Sequence, residues 1–571
     1  MSFSSSAIGS RTGSVFSGLS LADISIISVI ALPLCQADIC NSHHYAFGSI
    51  PKENALANDV PESSLFYDCI RLRKRLSKVP GIEEILLREI EEAEDDDRPD
   101  PVTVLWRAFQ RGVPLKLIYS AMPPKLAKTG NEWDSSLISE GKEAAYVFLR
   151  VCIIHWALPP KDCFSVSDLY ADNVMGFQKV VKTINRVLDM SLTERNIDES
   201  FHDKNDMLKD DNRIPGPEAR AHILRGFLKE ERKYVKQLEK LHLLKTILQE
   251  GGFFSSDDIH DLFGNLHMIL DFQLRFLIRI EMIKLDETAE HSWGSIFSLY
   301  RPAFKVHLPY IENQKKSMET AKRLFVGLRT VVLRKPSEIE DIVESLSVLT
   351  SYLIRPVTRF FTYPAFLKRL LAAGEWMEPQ RYSIERGLTD MQSIVDRANE
   401  IISRQERLDV VEDLARRVVD WKGYNLRGLG ELLLFGDFPV ITDYTRLDKK
   451  EERQYSVYLF EMVIFACKPA PAVAKRRLLA RTTTTNQPQG LELKGRILFQ
   501  NVTETLSLSR PGNYTTQILW EGDPGIQTFI IRFPNERLMR EWTAAIKKQL
   551  QFWDEHRRKN PKTTEDISTS T

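Results

Sequence analysis

The chain has 571 residues, and its 78 Lys plus Arg balance 78 Asp plus Glu, so no overall field points to nucleic acid. Hydrophobic residues at 43% and charged residues at 27% are the proportions of a globular protein, and the length asks for several domains rather than one core. The six cysteines, Cys35, Cys40, Cys69, Cys152, Cys163 and Cys467, lack CxxC spacing. That argues against zinc and against a disulfide scaffold, and fits a reducing, cytoplasmic setting.

Residues 1–60 open with Ser, Gly and Ala, show no sustained period, and read as a disordered leader. Within them Ile24–Cys35 (ISIISVIALPLC) is too short to span a bilayer. Arg11 is its sole upstream cation and Asp23 sits at its edge, which makes a poor signal peptide. Residues 61–165 read as a compact domain of short helices. Leu65, Cys69, Leu72 and Leu76 share a helical face, as do Val102, Leu105, Trp106 and Phe109, and Ala144–Trp156 reads as a buried helix. Residues 166–217 are a connecting helix, with its stripe at Val180, Val181, Ile184 and Val187, and then a polar linker ending in Ile214-Pro215-Gly216-Pro217.

From 218 to 413 nearly everything has a 3.6-residue period, which predicts an elongated helical bundle. In Ser351–Leu371 (SYLIRPVTRFFTYPAFLKRLL), Val357, Phe360, Phe361, Pro364, Leu367 and Leu371 make one apolar stripe. Arg359, Thr362, Phe366 and Arg369 fall on another face, within a partner's reach. Pro356 suits a first helical turn, and Pro364 should kink the helix.

Residues 420–552 change texture. Glu431–Phe435, Tyr455–Phe460, Val463–Cys467, Arg496–Gln500, Thr516–Trp520 and Phe529–Phe533 are short runs rich in β-branched and aromatic residues. The interval Lys468–Gly490 reads as a loop, Arg537–Phe552 as an amphipathic helix, and 553–571 as a disordered tail. Antiparallel strands closed by one helix predict a small β-barrel with a helical plug. The fold class is thus multidomain and mainly α, with the barrel last. Acidic Glu91–Asp100 and basic Lys475-Arg476-Arg477 and Arg557-Arg558-Lys559 read as solvated segments.

Enzyme chemistry finds no foothold. The sequence has no P-loop, GxSxG or HExxH motif, and His260 and His267 read as surface residues. No cofactor or metal is expected.

Three stretches of 218–413 resemble the Dbl-homology guanine-nucleotide exchange factors of Rho GTPases. They are ILRGFLKEERKYVKQLEKL at Ile223–Leu241, the run from Phe254 through Leu262-Phe263-Gly264-Asn265 to Trp293-Gly294-Ser295-Ile296-Phe297, and Ser351–Leu371 supported by Arg397-Ala398-Asn399-Glu400. Bundle plus barrel resembles the tandem Dbl-homology and pleckstrin-homology pair. Upstream, Asp95–Met122 (DDDRPDPVTVLWRAFQRGVPLKLIYSAM) resembles a calponin-homology-like domain. With Ser165–Met190 and Val418–Phe438 it resembles the fungal cell-polarity exchange factors. Members of that group normally carry a further Phox/Bem-type scaffold-binding domain, expected here to be missing or truncated.

The resemblance implies a regulator that makes no covalent bond and releases GDP by stabilising a nucleotide-free Rho-family GTPase. It also implies polarity scaffold proteins as partners, and recruitment to the cell cortex at sites of polarised growth. In the family a carboxylate on the opening helix engages the first switch, while a cation on the signature helix and an Asn on the last helix hold the second. Carried over, the GTPase contacts are Glu230, Glu231, Arg359, Thr362, Lys368 and Asn399. Gly226 stands at the usual Glu position, and Thr362 where the family has Lys or Arg. Two readings follow: exchange with other contacts compensating, such as Glu230, or an exchange-weakened relative acting as a GTPase-binding, cytoskeletal or membrane-associated scaffold. In the barrel Lys449, Lys450 and Arg453 could meet phosphoinositide headgroups, with solvated loop charges as the other reading.

Overall fold

A computed structural model describes residues 64–92, 99–122, 141–194, 218–285, 292–334, 339–423, 426–441, 453–470, 490–508, 510, 512–522 and 525–559. The leader, the polar linker from residue 195, most of the Lys468–Gly490 loop and residues 560–571 lie outside the described residues, whereas residues 553–559, read from the sequence as a disordered tail, continue the C-terminal helix. Two compact units divide the chain near Ile402, one helical and one built on a sheet. Among the described residues no helix is long and apolar enough to cross a membrane.

The helical unit opens with α1 (Leu65–Leu76), α2 (Ile82–Glu91), α3 (Pro101–Gln110), α4 (Val113–Ser120), α5 (Gly141–Arg150), α6 (Val166–Tyr170) and α7 (Val174–Glu194). Local chemistry sets several of these starts. Asp100 accepts from the amides of Val102 and Thr103, with Pro101 in the first turn of α3. The stripe Leu65, Cys69, Leu72 and Leu76 is buried, as is the α7 stripe from Val180 to Val187. The two helices meet: Arg75 Nη1 donates to Asn185 Oδ1 at 2.7 Å, and Trp106 of α3 stacks on Phe177 at 4.9 Å. Ala144–Trp156 is a correction. The α-helix gives way to a π-helical turn at Val151–His155, and Tyr146 and Ile154 are each 61% exposed. An apolar run is therefore not buried on every side.

The bundle follows as α8 (Glu218–Gly251), α9 (Ser256–Phe263), α10 (Leu266–Leu285), α11 (Ser292–Leu299), α12 (Arg301–Phe304), α13 (His307–Leu333), α14 (Leu346–Ala372) and α15 (Glu378–Arg417). Its centre is aromatic: Phe276 lies 5.4 Å from Phe297 and 5.1 Å from Phe304, and Tyr363 lies 5.3 Å from Phe304. Ser345 caps α14 by accepting from the Val348 amide at 3.2 Å. Pro356 is consequently inside the helix rather than in its first turn, and is buried there beside Pro364. Tertiary burial overrides the cost of about 3 kcal/mol that an internal proline carries.

The second unit is a seven-stranded antiparallel sheet with its closing helix. The strands are β1 (Leu432–Ile441), β2 (Arg453–Phe460), β3 (Val463–Pro469), β4 (Leu491–Leu498), β5 (Val502–Ser507), β6 (Tyr514–Gly522) and β7 (Gly525–Phe533), in the order β4-β3-β2-β1-β7-β6-β5. The edge strands β4 and β5 are joined only by the short turn Phe499–Asn501, so the sheet must curl to bring its edges together. The predicted strand Arg496–Gln500 ends at Leu498, and the strand Val502–Ser507 was not predicted. The closing helix α16 (Glu536–Lys559) buries Met539, Trp542 and Ile546, with Trp542 5.0 Å from Phe438.

Candidate functional site

The site is built on the pairing of α8 with α14. Phe227 stacks on Phe366 at 3.8 Å, Glu231 meets Arg359, and Glu230 meets Arg355. As the number rises along α8 it falls along α14, so the helices run antiparallel and Gly226 lies toward the Thr362 end.

One layer of this pairing faces inward. Glu231 is 0% exposed; its Oε1 accepts from Arg359 Nε at 2.7 Å and its Oε2 from the Tyr363 hydroxyl at 3.3 Å and from Gln273 Nε2. Burial pushes the Glu231 carboxyl up, against the opposing pull of Arg359. Burial works to lower the Arg359 guanidinium, and the nearby Glu231 carboxylate and Tyr363 outweigh it and leave it raised. Glu231 and Arg359, both expected on the contact surface, are therefore interior residues that fasten α8 to α14. Phe366, also expected to face a partner, is buried against Phe227, whereas Arg369 is exposed.

The other layer faces out. Gly226 is exposed, and nothing lies within 4 Å of where a Cβ would stand. One turn on, the half-buried Glu230 holds Arg355 at 3.2 Å. Thr362 is half-buried, with its hydroxyl donating to the Arg359 carbonyl at 2.7 Å. Lys368 is exposed; Asn399 is half-buried on α15 beside the buried Val395 and Ala398. Arg220 at the start of α8 lies 3.8 Å over the Trp376 ring, in the turn from α14 to α15. That turn needs Gly374, whose φ is 141°.

Elsewhere, His260 and His267 are exposed, and among the described residues no group of three His, Cys, Asp or Glu side chains could hold a metal. Cys69, Cys152, Cys163 and Cys467 are buried and free, and burial pushes their thiols up. In the sheet unit Arg453 is exposed, while Lys449 and Lys450 lie outside the described residues. Sequence reasoning missed a cavity of about 160 Å³ between Tyr455, Lys494, Arg496, Trp520 and Gln527. The signal was present in LELKGRIL, where Lys494 and Arg496 interrupt an apolar strand.

Three family models match this chain: CDC24 Calponin over residues 100–188, RhoGEF domain over 223–399 and Pleckstrin homology domain over 427–546. Residues 223–399 carry a RhoGEF domain. The Rho guanine nucleotide exchange factor scd1 of Schizosaccharomyces pombe is 28% identical over 509 residues, covering 85% of this chain and 56% of that protein. Cell division control protein 24 of Saccharomyces cerevisiae is 30% identical over 373 residues, covering 64% and 42%. The chain thus spans about half the length of these curated relatives. Among solved structures, the complex of PDZ-RhoGEF DH/PH domains with GTP-gamma-S activated RhoA is similar at 13% identity and a TM-score of 0.46, covering 59% of this chain and 94% of that one. A likeness at that level carries no inference about this chain.

Proposed function

We propose that the chain promotes GDP release from a Rho-family small GTPase by binding the nucleotide-free form more tightly than the loaded one. The carrying observation is that the RhoGEF domain match falls on the bundle whose α8–α14 pairing leaves an open outer face. On this reading no covalent bond is made or broken. Glu230, Thr362, Lys368 and Asn399 are the contacts at the surface, and Glu231 and Arg359 set the helix spacing beneath them. The pleckstrin homology domain would place this face near membrane, with Arg453, Lys449 and Lys450 toward phosphoinositide headgroups. Polarity scaffold proteins and the cell cortex complete the proposal, on the resemblance alone.

Gly226 and Thr362 favour a second reading, a GTPase binder with weakened exchange. Each replaces a charged contact worth about 1.5–3 kcal/mol, and together they would lower the rate by roughly two to four decades. Release of a fluorescent guanine nucleotide from a panel of Rho GTPases separates the two. An active wild-type chain supports exchange. An inert wild type beside an active Gly226→Glu/Thr362→Arg variant supports the weakened binder. No preference for nucleotide-free over GDP-loaded GTPase would end both.

A further inference from the structure

We propose that the calponin-like domain is a brace of the exchange bundle, supporting its nucleotide-release face from behind rather than covering it. This rests on the exchange reading of the α8–α14 face. The domain docks on α8 and α10 along a polar seam. Ser64 Oγ donates to Glu281 Oε2 at 2.6 Å, and Arg232 Nε donates to Glu281 Oε1 at 2.7 Å, with Glu281 0% exposed. The Tyr67 ring lies 5.1 Å from the Arg232 guanidinium, and its hydroxyl accepts from Lys284 Nζ at 3.3 Å. Further along, Val174 N donates to Asp271 Oδ1 at 2.9 Å, Gln178 Nε2 to Glu239 Oε1 at 2.8 Å, and Arg275 Nη2 to Asp172 Oδ1 at 2.8 Å.

Two features make this a brace. Buried, mutually satisfied polar groups specify one docking geometry, because any slip leaves charge unpaired. Consecutive residues of α8 also point into different partners: Glu231 ties the helix to α14, and Arg232 ties it to α10 and the docked domain. Together they fix the rotation of α8 about its own axis, and with it the direction of Gly226 and Glu230. Arg232 and Glu239 lie about 150° round α8 from Gly226 and Glu230 at 100° per residue, so the docked side is not the open side.

The test uses the full chain with Ser64→Ala/Tyr67→Leu, which strips the seam from the calponin side. Asp172→Lys is the companion; its side chain is 89% exposed, so it disturbs the rim without unfolding the domain. Amide hydrogen exchange over residues 226–240 and nucleotide release are read together. The brace predicts that both variants lose protection there and release nucleotide about threefold to tenfold more slowly, with Tyr67→Phe restoring much of both. Release faster than wild type would make the domain a lid and overturn the proposal. So would unchanged release alongside lost protection, or unchanged protection in both variants. If the wild-type chain releases no nucleotide, the exchange reading fails, and the amide data alone decide the brace.

Discussion

Arg359 and Glu231 meet inside the bundle, Nε to Oε1 at 2.7 Å, with Tyr363 and Gln273 completing the carboxylate's partners. Removing one member leaves the other charged and buried, so Arg359→Met or Glu231→Leu should cost about 3–5 kcal/mol. The double variant should cost less than the sum of the two. Urea unfolding of the four proteins of this cycle measures the coupling, and additive costs would refute it.

His307 predicts acid sensitivity. Burial pushes its imidazole down to about 4, with Nδ1–H donating to the Phe304 carbonyl at 3.0 Å and pulling weakly the other way. The unfolded value is about 6.5, so below it the unfolded chain takes up a proton that the fold refuses. The contribution is complete above about pH 6.5 and is lost as pH falls toward about 4, reaching about 2 kcal/mol by pH 5. His307→Phe should flatten the stability profile between pH 7 and 5 relative to wild type. Parallel profiles would show that His307 does not titrate there.

Two glycines should respond to alanine in opposite directions. A Cβ at Gly294 would overlap the Ser383 carbonyl, and one at Gly387 would overlap the Gly294 carbonyl, so α11 and α15 touch backbone to backbone. Gly294→Ala should therefore destabilise by about 1–3 kcal/mol. Gly226→Ala meets nothing and should stabilise by up to about 1 kcal/mol through helix propensity. Thermal melts of the two variants give the signs directly.

Trp542 is 1% exposed and packs on Phe438 and Phe533 at 5.0 and 5.9 Å. Trp542→Ala should cost the sheet unit about 3–5 kcal/mol. Far-ultraviolet circular dichroism across a denaturant series would report it, and an unchanged midpoint would show that α16 is not part of that core.

The apolar stripes of α1, α7 and α14 were legible because burial writes its period into sequence. What failed was charge. Glu231 and Arg359 read as surface residues, since a charged side chain belongs in water unless a partner is supplied, and the partners are distant in sequence. Thr503, Glu504 and Ser507 hid β5, whose buried positions are only Val502 and the half-polar Thr505. Gly226 and Thr362 were visible as departures, but not that one stands in open space and the other spends its hydroxyl on its own helix.

The bareness around Gly226 separates surface chemistry from folding at this position. A single nucleotide substitution can turn glycine into glutamate, and here no neighbour would have to repack to receive it. On the exchange reading, the contact made at this position can therefore change in strength without a cost to the stability of the bundle.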